Sequence, residues 1–598
     1  MHESPLFLEE ASLKWKEGEP FSNKYQDRYF SKFQALEEAE YVFINANNLL
    51  NRWKNLKENE NFKILELGFG AGINFLMTIR SWSTQDKKNN WLNYVSIENN
   101  PLKIEDLKKI TRNYPDLKDL ADKLIQSYPV NSKGIHRLEF KEEKVLLNLC
   151  FEEVNESLKD LDSEKLKIDA IFHDGFSPSK NPEIWSNEIF QHLEKISDNS
   201  TTYSTFSSAK LIRERLLKNG FKPVLINGFG TKKNMIKANL IKKGIKKTKY
   251  KRKKIAVIGA GISGCSLSKI LSDRGHKVTL FEKNKNFLED SEGFQAFVVH
   301  PRLSAFEGQL SRLNLNSYLY STNFYDNLGS SHWNKTGVLS LNYDEITDKR
   351  HKQLIEARND TKIFSYVDRE EASSIAGIKI DTNGLFFKEA GWLNPVGIKK
   401  DLINSSDIKL INDEVLKVKK NKVFTEGEEK DFDTVCICSS FENKGLIKIN
   451  GINKKRGQIS YIKNEGEIRK LKVPICANGY IVRTSISTSL VGSTYNDIED
   501  KDPLKADDLE NLKKVTSITK QKFKLKGAGV GFRATTRDYL PIVGNLNGIL
   551  LNIGHGSRGT ITGPFCSQYI SDVIDESPAI FGKKLSKALH PKRFIAQD

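Results

Sequence analysis

The chain has 598 residues, with 94 Lys plus Arg against 76 Asp plus Glu and a net charge of +18. Its length suits three or four ordinary domains or two large ones. A hydrophobic share of 38%, with 33 Phe, 18 Tyr and 7 Trp, excludes wholesale disorder. No apolar run approaches the ~20 residues that span a bilayer, so no membrane association is expected. The opening MHESPLFLEEASLK lacks a basic start followed by an apolar stretch, and no secretory signal is expected. Six cysteines cannot form a disulfide framework, which suits a reduced, cytoplasmic chain. Cys436 and Cys438 alternate in DTVCICSS without a metal-ligand partner nearby. They read as buried strand thiols, and no metal site is expected. The positive excess fits an anionic partner such as nucleic acid, although alone it is weak evidence.

In chain order, the first motif is KILELGFGAGINFLMTIR at 63–80. Ile64, Leu65 and Leu67 suit a buried strand, Gly68, Gly70 and Gly72 a turn that lets a ligand approach the backbone, and INFLMTIR a helix. WLNYVSIENN supplies a second strand ending at Glu98, whose carboxylate can accept both hydroxyls of a ribose. This spacing alone does not separate a dinucleotide site from an adenosylmethionine site. Glu66, inside the strand and two residues before the first glycine, makes the segment resemble the first motif of class I adenosylmethionine-dependent methyltransferases. IDAIFHDGFSPSKNPEIW at 168–185 adds a strand, then Asp174 at its carboxyl end, then a loop rich in turn residues. An acid there can take a hydrogen bond from an attacking amine and aim its lone pair at a sulfonium methyl.

The clearest seam is IKKGIKKTKYKRKK at 241–254, with eight Lys, one Arg and no acid. Such a run repels itself and buries no face, so it reads as a linker or domain edge. The expected division is 1–245 for the first domain, 246–254 for a basic linker and 255–598 for the second domain.

The second domain opens with KKIAVIGAGISGCSLSKILSDRGHKVTLFEK at 253–283. Gly259, Gly261 and Gly264 suit a tight turn, pyrophosphate contact and close helix–strand packing, and Glu282 falls where a ribose partner belongs. GVGFRATTRDYLPIVGN (529–545) and GILLNIGHGSRGTITGP (548–564) must return from the chain's end to complete this site. The turn Gly554, Gly556, Ser557, Gly559 can bring amide donors to a flavin ring, which favours FAD over a nicotinamide cofactor. Arg533, Arg537 and Arg558 are candidate partners for a carboxylate or phosphate because a guanidinium binds two oxygens at once; Arg537 is the weakest of the three.

Together these segments resemble the bacterial family of bifunctional enzymes that build 5-methylaminomethyl-2-thiouridine at the tRNA wobble position. The resemblance runs through essentially the whole chain. It is carried by FSNKYQDRYFS (21–31), ALEEAEYVF (35–43), ELGFGAGINF (66–75), HDGFSPSKNPEIW (173–185), STFSSA (204–209), GAGISG, GLFFKEAGWLNP (384–395), GFRATTRDYLPIVGN and GHGSRG. It implies an α/β architecture: a Rossmann-like class I methyltransferase domain, then an FAD-binding Rossmann domain with an inserted α+β substrate domain of the glycine/D-amino-acid oxidase type.

The resemblance also implies a division of labour. FAD-dependent oxidation would remove the carboxymethyl arm of 5-carboxymethylaminomethyluridine at U34, downstream of the enzymes that install it. Adenosylmethionine would then methylate the exposed amine. Carried over residue by residue, Gly68, Gly70, Gly72 and Asn74 shape the methyl-donor site and Glu98 binds ribose. Glu66 supports the methionine end, and Asp174 faces the amine. Arg533 is favoured for the substrate carboxylate, with Arg558 and Tyr480 as further candidates. Leu67 and His173 stand where smaller and apolar residues are expected. Lys180, Lys232, Lys233 and the 241–254 run are candidates for meeting a tRNA anticodon stem-loop. Two alternatives remain: a small-molecule glycine- or sarcosine-type oxidase fused to a small-amine methyltransferase, and a tRNA-binding scaffold with inactive cofactor sites.

Overall fold

The structure is a computed structural model of the full chain. It describes all residues except 1–5, 31–33, 86–89, 163–165, 242–251, 307, 358–361, 405–406, 442–444 and 596–598. Most of the basic seam therefore lies outside the described residues. The chain divides into two compact units, Phe7–Lys251 with Asp572–Lys584, and Arg252–Ser571 with Leu585–Asp598 and Met1–Leu6. The expected second domain ran to the end of the chain; here Asp572–Lys584 clusters with the first unit instead. Within that unit the buried Arg137 guanidinium donates to Asp572 at 3.1 and 3.2 Å and to the Pro578 carbonyl at 2.8 Å. No sequence pattern announced this long-range ion pair.

The first unit is built on an eight-stranded sheet. Phe62–Leu67 lies at its centre, parallel to Leu92–Glu98 on one side and to Ala170–His173 on the other. The chain leaves the central strand toward both neighbours, so a crevice opens at the carboxyl ends of these three strands. The sheet is buried on both faces, which is why the central strands read as continuous apolar runs. Trp82, Phe75, Tyr94 and Phe172 fill one side of it.

The second unit carries a six-stranded sheet in which Lys254–Ile258 lies between Lys277–Glu282 and Thr434–Ile437, all parallel. Ile549–Ile553 extends it on the far side, so the returning glycine segment reaches the same carboxyl edge as the first turn. Cys436 and Cys438 are both buried at this edge. A second, mixed eight-stranded sheet forms the inserted substrate domain. Its long strands Ile452–Lys463 and Leu525–Thr536 pair antiparallel and set Lys455 opposite Arg533. Behind them Arg456 is fully buried against Asp507, while Gln458 and Ser460 bond Asp508, anchoring the helix Lys505–Thr519 on this sheet.

Two glycines in the GAGISG turn are there for steric reasons. Gly259 has φ +100°, and a Cβ on it would come within 2.9 Å of the Cys438 carbonyl oxygen. A Cβ on Gly264 would come within 1.8 Å of the Gly259 carbonyl oxygen. Gly264→Ala therefore forces helix Ile262–Asp273 away from its strand. It is expected to cost about 1–3 kcal/mol and to release FAD. Thermal denaturation and the flavin absorbance of the purified variant check this.

Candidate functional sites

In the first unit a cavity of about 1130 Å³ opens at the sheet's carboxyl edge, lined by Gly68, Gly70, Asn74, Glu98 and Asp174 among others. Glu98 points back into the glycine turn. Its Oε2 accepts the Gly70 amide at 3.0 Å, and Oε1 accepts the Asn100 amide at 2.8 Å. Burial raises its pKa, and the two amides oppose that rise. Tyr29, from the FSNKYQDRYFS segment, packs over Gly70, where a Cβ would lie 3.3 Å from its ring. The buried Asn155 Oδ1 and Ser186 Oγ have no partner among the described residues, and both residues line this cavity. An acid beside a glycine turn, with donors and acceptors left over, fits adenosylmethionine.

Asn74, at the start of the helix Ile73–Ser83, joins two carboxylates. Its Nδ2 donates to Glu66 Oε1 at 3.0 Å and to Asp174 Oδ2 at 2.8 Å. The other Asp174 oxygen accepts the Gly175 amide at 2.8 Å, and Ser96 Oγ donates to Glu66 Oε2 at 2.6 Å. Glu66 is fully buried and does not line the cavity, so any support it gives the methionine end passes through Asn74. Gly72 likewise lies off the cavity, capping the helix beneath Phe69. Desolvation pushes Glu66 up to about 8, with the Asp174 charge adding to the rise, and pushes Asp174 up to about 6. At neutral pH Asp174 is therefore the ionised member and Glu66 the protonated one.

The DGFSPSKNPEIW loop is fixed from behind. His173 stacks on Trp185 at 4.1 Å, and Trp185 Nε1 donates to the Phe176 carbonyl at 2.9 Å. His173 is also within hydrogen-bonding distance of the Tyr203 hydroxyl and the Ile184 carbonyl, and burial drives its pKa down to about 3. It takes the place of an apolar residue as a neutral core histidine. Asp27 Oδ2 accepts from the Ser177 amide and hydroxyl, while Phe176 stacks on Tyr25 at 4.6 Å and meets Tyr29 edge-on at 5.0 Å. Asp174 thus faces an aromatic wall whose members, Tyr25, Tyr29 and Phe176, the sequence reading gave no role. Lys232 lines the cavity rim, paired with Glu38 and lying over the Phe206 ring. Lys180 and Lys233 are exposed and do not line it.

In the second unit a cavity of about 1770 Å³ is lined by Gly259, Gly261, Glu282, Arg533, Tyr480, Arg558 and the turn Gly554, Gly556, Ser557, Gly559. Gly264 lies behind it, as its packing role requires. A Cβ on Gly261 would meet nothing within 4 Å, so the backbone is bare toward the cavity. Glu282 accepts the Ala260 amide at 2.8 Å and the Asn284 amide at 3.2 Å, and the buried Ser439 Oγ on the cavity wall has no partner among the described residues. These features fit FAD. Arg533 donates to Ser493 Oγ at 2.8 Å and to the Thr494 carbonyl at 3.4 Å, and Tyr480 lines the same cavity as Arg533 and Ser493. Arg558 donates to the His300 carbonyl at 2.9 Å. Arg537 is exposed and off the cavity.

A family model described as FAD dependent oxidoreductase matches residues 254–573, more than half of the chain. The chain belongs to the FAD dependent oxidoreductase family. A second model, described as S-adenosyl-L-methionine-dependent methyltransferase, matches residues 115–241, so a methyltransferase domain precedes the flavin domain. Among similar curated proteins is one from Idiomarina loihiensis named tRNA 5-methylaminomethyl-2-thiouridine biosynthesis bifunctional protein MnmC. It is 29% identical over 93% of this chain and 94% of its own. A protein of the same name from Legionella pneumophila (strain Lens) is 29% identical over 98% of this chain and 97% of its own. Among solved structures, glycine oxidase from Geobacillus kaustophilus is 17% identical, covering 58% of this chain and all of that one, with a TM-score of 0.49.

Two outcomes test this electrostatic assignment. If Asp174 accepts the amine proton, as expected from the sequence, methyl transfer should fall as pH drops through about 6, read as kcat/KM against pH. Glu66, with its pKa raised from 4.5 to about 8, is better tolerated in the folded state when protonated. Its contribution is therefore full below pH 4.5 and is lost as pH rises toward 8. Glu66→Gln should remove that alkaline loss, giving a flatter melting temperature between pH 5 and 9 and methyl transfer within about threefold of wild type, since a neutral isostere keeps both hydrogen bonds.

Proposed function

We propose that this protein modifies the wobble uridine of tRNA in two successive reactions on one nitrogen. The oxidoreductase domain cleaves the carboxymethyl arm from 5-carboxymethylaminomethyl-(2-thio)uridine to leave the 5-aminomethyl form. The methyltransferase domain then methylates that amine to the 5-methylaminomethyl form. The names carried by the full-length relatives support the reading, as does the net charge of +18 against a polyanionic substrate. The single observation that carries it is the pairing of chemistries. One cavity offers guanidinium groups to a carboxylate beside a flavin site, and the other offers an ionised carboxylate to an amine beside a methyl-donor site.

In the first reaction the substrate is an N-substituted glycine. Arg533, with Tyr480 beside it, holds the carboxylate, and Arg558 supplies positive potential from another wall of the same cavity. Arg558 is lowered to about 10 by burial and by neighbouring arginines, so it stays charged at neutral pH. FAD supplies a two-electron acceptor for the methylene between nitrogen and carboxylate. Water adds to the resulting carbon–nitrogen double bond, the bond breaks, and glyoxylate leaves the primary amine on the base.

In the second reaction adenosylmethionine supplies an electrophilic methyl group. Asp174 accepts a hydrogen bond from the amine, orients its lone pair and takes the proton released as the new bond forms. Asn74 keeps the carboxylate facing the cavity. The aromatic wall of Phe176, Tyr25 and Tyr29 offers surfaces for the base. None of the six cysteines is in a disulfide, in keeping with a reducing cytoplasm, where the reaction would follow the enzymes that install the arm.

Asp174→Ala should cut methyl transfer by roughly 10²–10⁴-fold while flavin reduction by tRNA continues. Nucleoside mass analysis should then find the bare aminomethyl nucleoside accumulating; loss of both reactions would refute the assignment. Arg533→Ala should lower the oxidation kcat/KM about 100-fold and leave methylation of aminomethyl-tRNA intact. Oxidation of free glycine or sarcosine as fast as tRNA would favour the small-molecule alternative instead.

A further inference from the structure

We propose that Arg302 and Arg350 form a phosphodiester clamp on the oxidoreductase cavity, gripping the RNA backbone beside the nucleotide that enters; this rests on the tRNA reading above. Arg302 follows the strand Phe297–Val299, and Arg350 projects from the helix Glu345–Ala357. Both line the same cavity as Arg558, together with His300 and Tyr343. The positive charges of Arg302 and Arg350 reach the Arg558 guanidinium, so the three form one cluster of like charge.

Neither Arg302 nor Arg350 makes a hydrogen bond or ion pair with any described residue. Two other arginines of this unit, Arg456 and Arg593, are matched by Asp507 and Asp538. The exposed Asp344 attracts both arginines at a distance but accepts the Thr347 amide at 2.7 Å and bonds neither of them. His300 is driven toward the neutral form by burial and by Arg558 and Arg350, and His351 by burial and by Arg350, so they are not positive partners that change this balance. A guanidinium cannot shed its proton at working pH, and unmatched like charges repel until an anion joins them.

The chemistry of that anion follows from position. The substrate arm carries one carboxylate, and Arg533 or Arg558 inside the cavity already serves it. Arg302 is exposed and Arg350 half-buried, so they face material that stays outside while one nucleotide enters. Planar guanidinium forks match the two free oxygens of a phosphodiester, and such contacts set the register of RNA without reading its sequence. A flipped or splayed wobble nucleotide carries a phosphate on each side, one for each arginine.

The test is steady-state oxidation by full-length Arg302→Gln/Arg350→Gln, with 5-carboxymethylaminomethyl-modified tRNA and the corresponding free nucleoside as substrates. Retention of the flavin spectrum establishes that the variant is folded. With tRNA, KM should rise roughly tenfold with kcat within about twofold, and the slope of log(kcat/KM) against log salt should flatten by about 1.4, or 0.7 for each lost phosphate contact. With the nucleoside, which carries no phosphate, the loss should be smaller by that same tenfold. Equal losses on both substrates would reassign the pair to the carboxylate and overturn the clamp. An unchanged KM and salt slope with tRNA would also overturn it. Wild-type enzyme that turns over the nucleoside but not tRNA would instead refute the tRNA reading itself.

Discussion

Everything at the methyl-transfer site depends on one amide holding two acids. Asn74 Nδ2 donates to both Glu66 and Asp174, in a place where each carboxylate has lost most of its water. Two buried negative charges so close together are unfavourable, so their titrations separate. Glu66 has no access to the cavity and keeps its proton. Asp174, at the rim with the Gly175 amide on its other oxygen, gives its proton up first. The sheet enforces the arrangement, because Glu66 lies in the central strand and Asp174 follows the strand beside it.

The oxidoreductase unit solves the reverse problem. There the protein concentrates fixed positive charge around one cavity, as the proposed carboxylate-bearing substrate requires. Arg533, on the long strand Leu525–Thr536, is held by Ser493 and Thr494, and Arg558 by the His300 carbonyl. Neither arginine is neutralised by an acid among the described residues, which leaves their charge for a ligand. Glu282 is set apart by its own two amides at the end of a parallel strand, which suits a ribose.

The parts of the fold fixed by local backbone demands were legible in the sequence. Strand, glycine turn, helix and strand-end acid recur in both halves, and each copy sits at the carboxyl edge of parallel central strands. Asp174 could be found because it ends an apolar strand and begins a loop of turn residues. What could not be read depends on contacts between distant segments. Asn74 looked like a cofactor ligand, and its bridge to Asp174 needs residues 100 positions apart. Tyr25 and Tyr29 reach the site only because Asp27 ties their segment to Ser177. The KNPxxW part of the loop motif shows its purpose once Trp185 is seen stacked on His173 and bonded to the Phe176 carbonyl. The placement of Asp572–Lys584 with the first unit, through Arg137, leaves no periodic trace at all.

The central claim is that two cavities act in turn on the same nitrogen. It is tested most directly by mass analysis of the wobble nucleoside after wild-type enzyme meets carboxymethylaminomethyl-tRNA, first without adenosylmethionine and then with it. The account predicts the aminomethyl nucleoside in the first stage and its complete conversion to the methylaminomethyl form in the second. An unaltered arm in the first stage, or an aminomethyl group that never gains a methyl in the second, would contradict it.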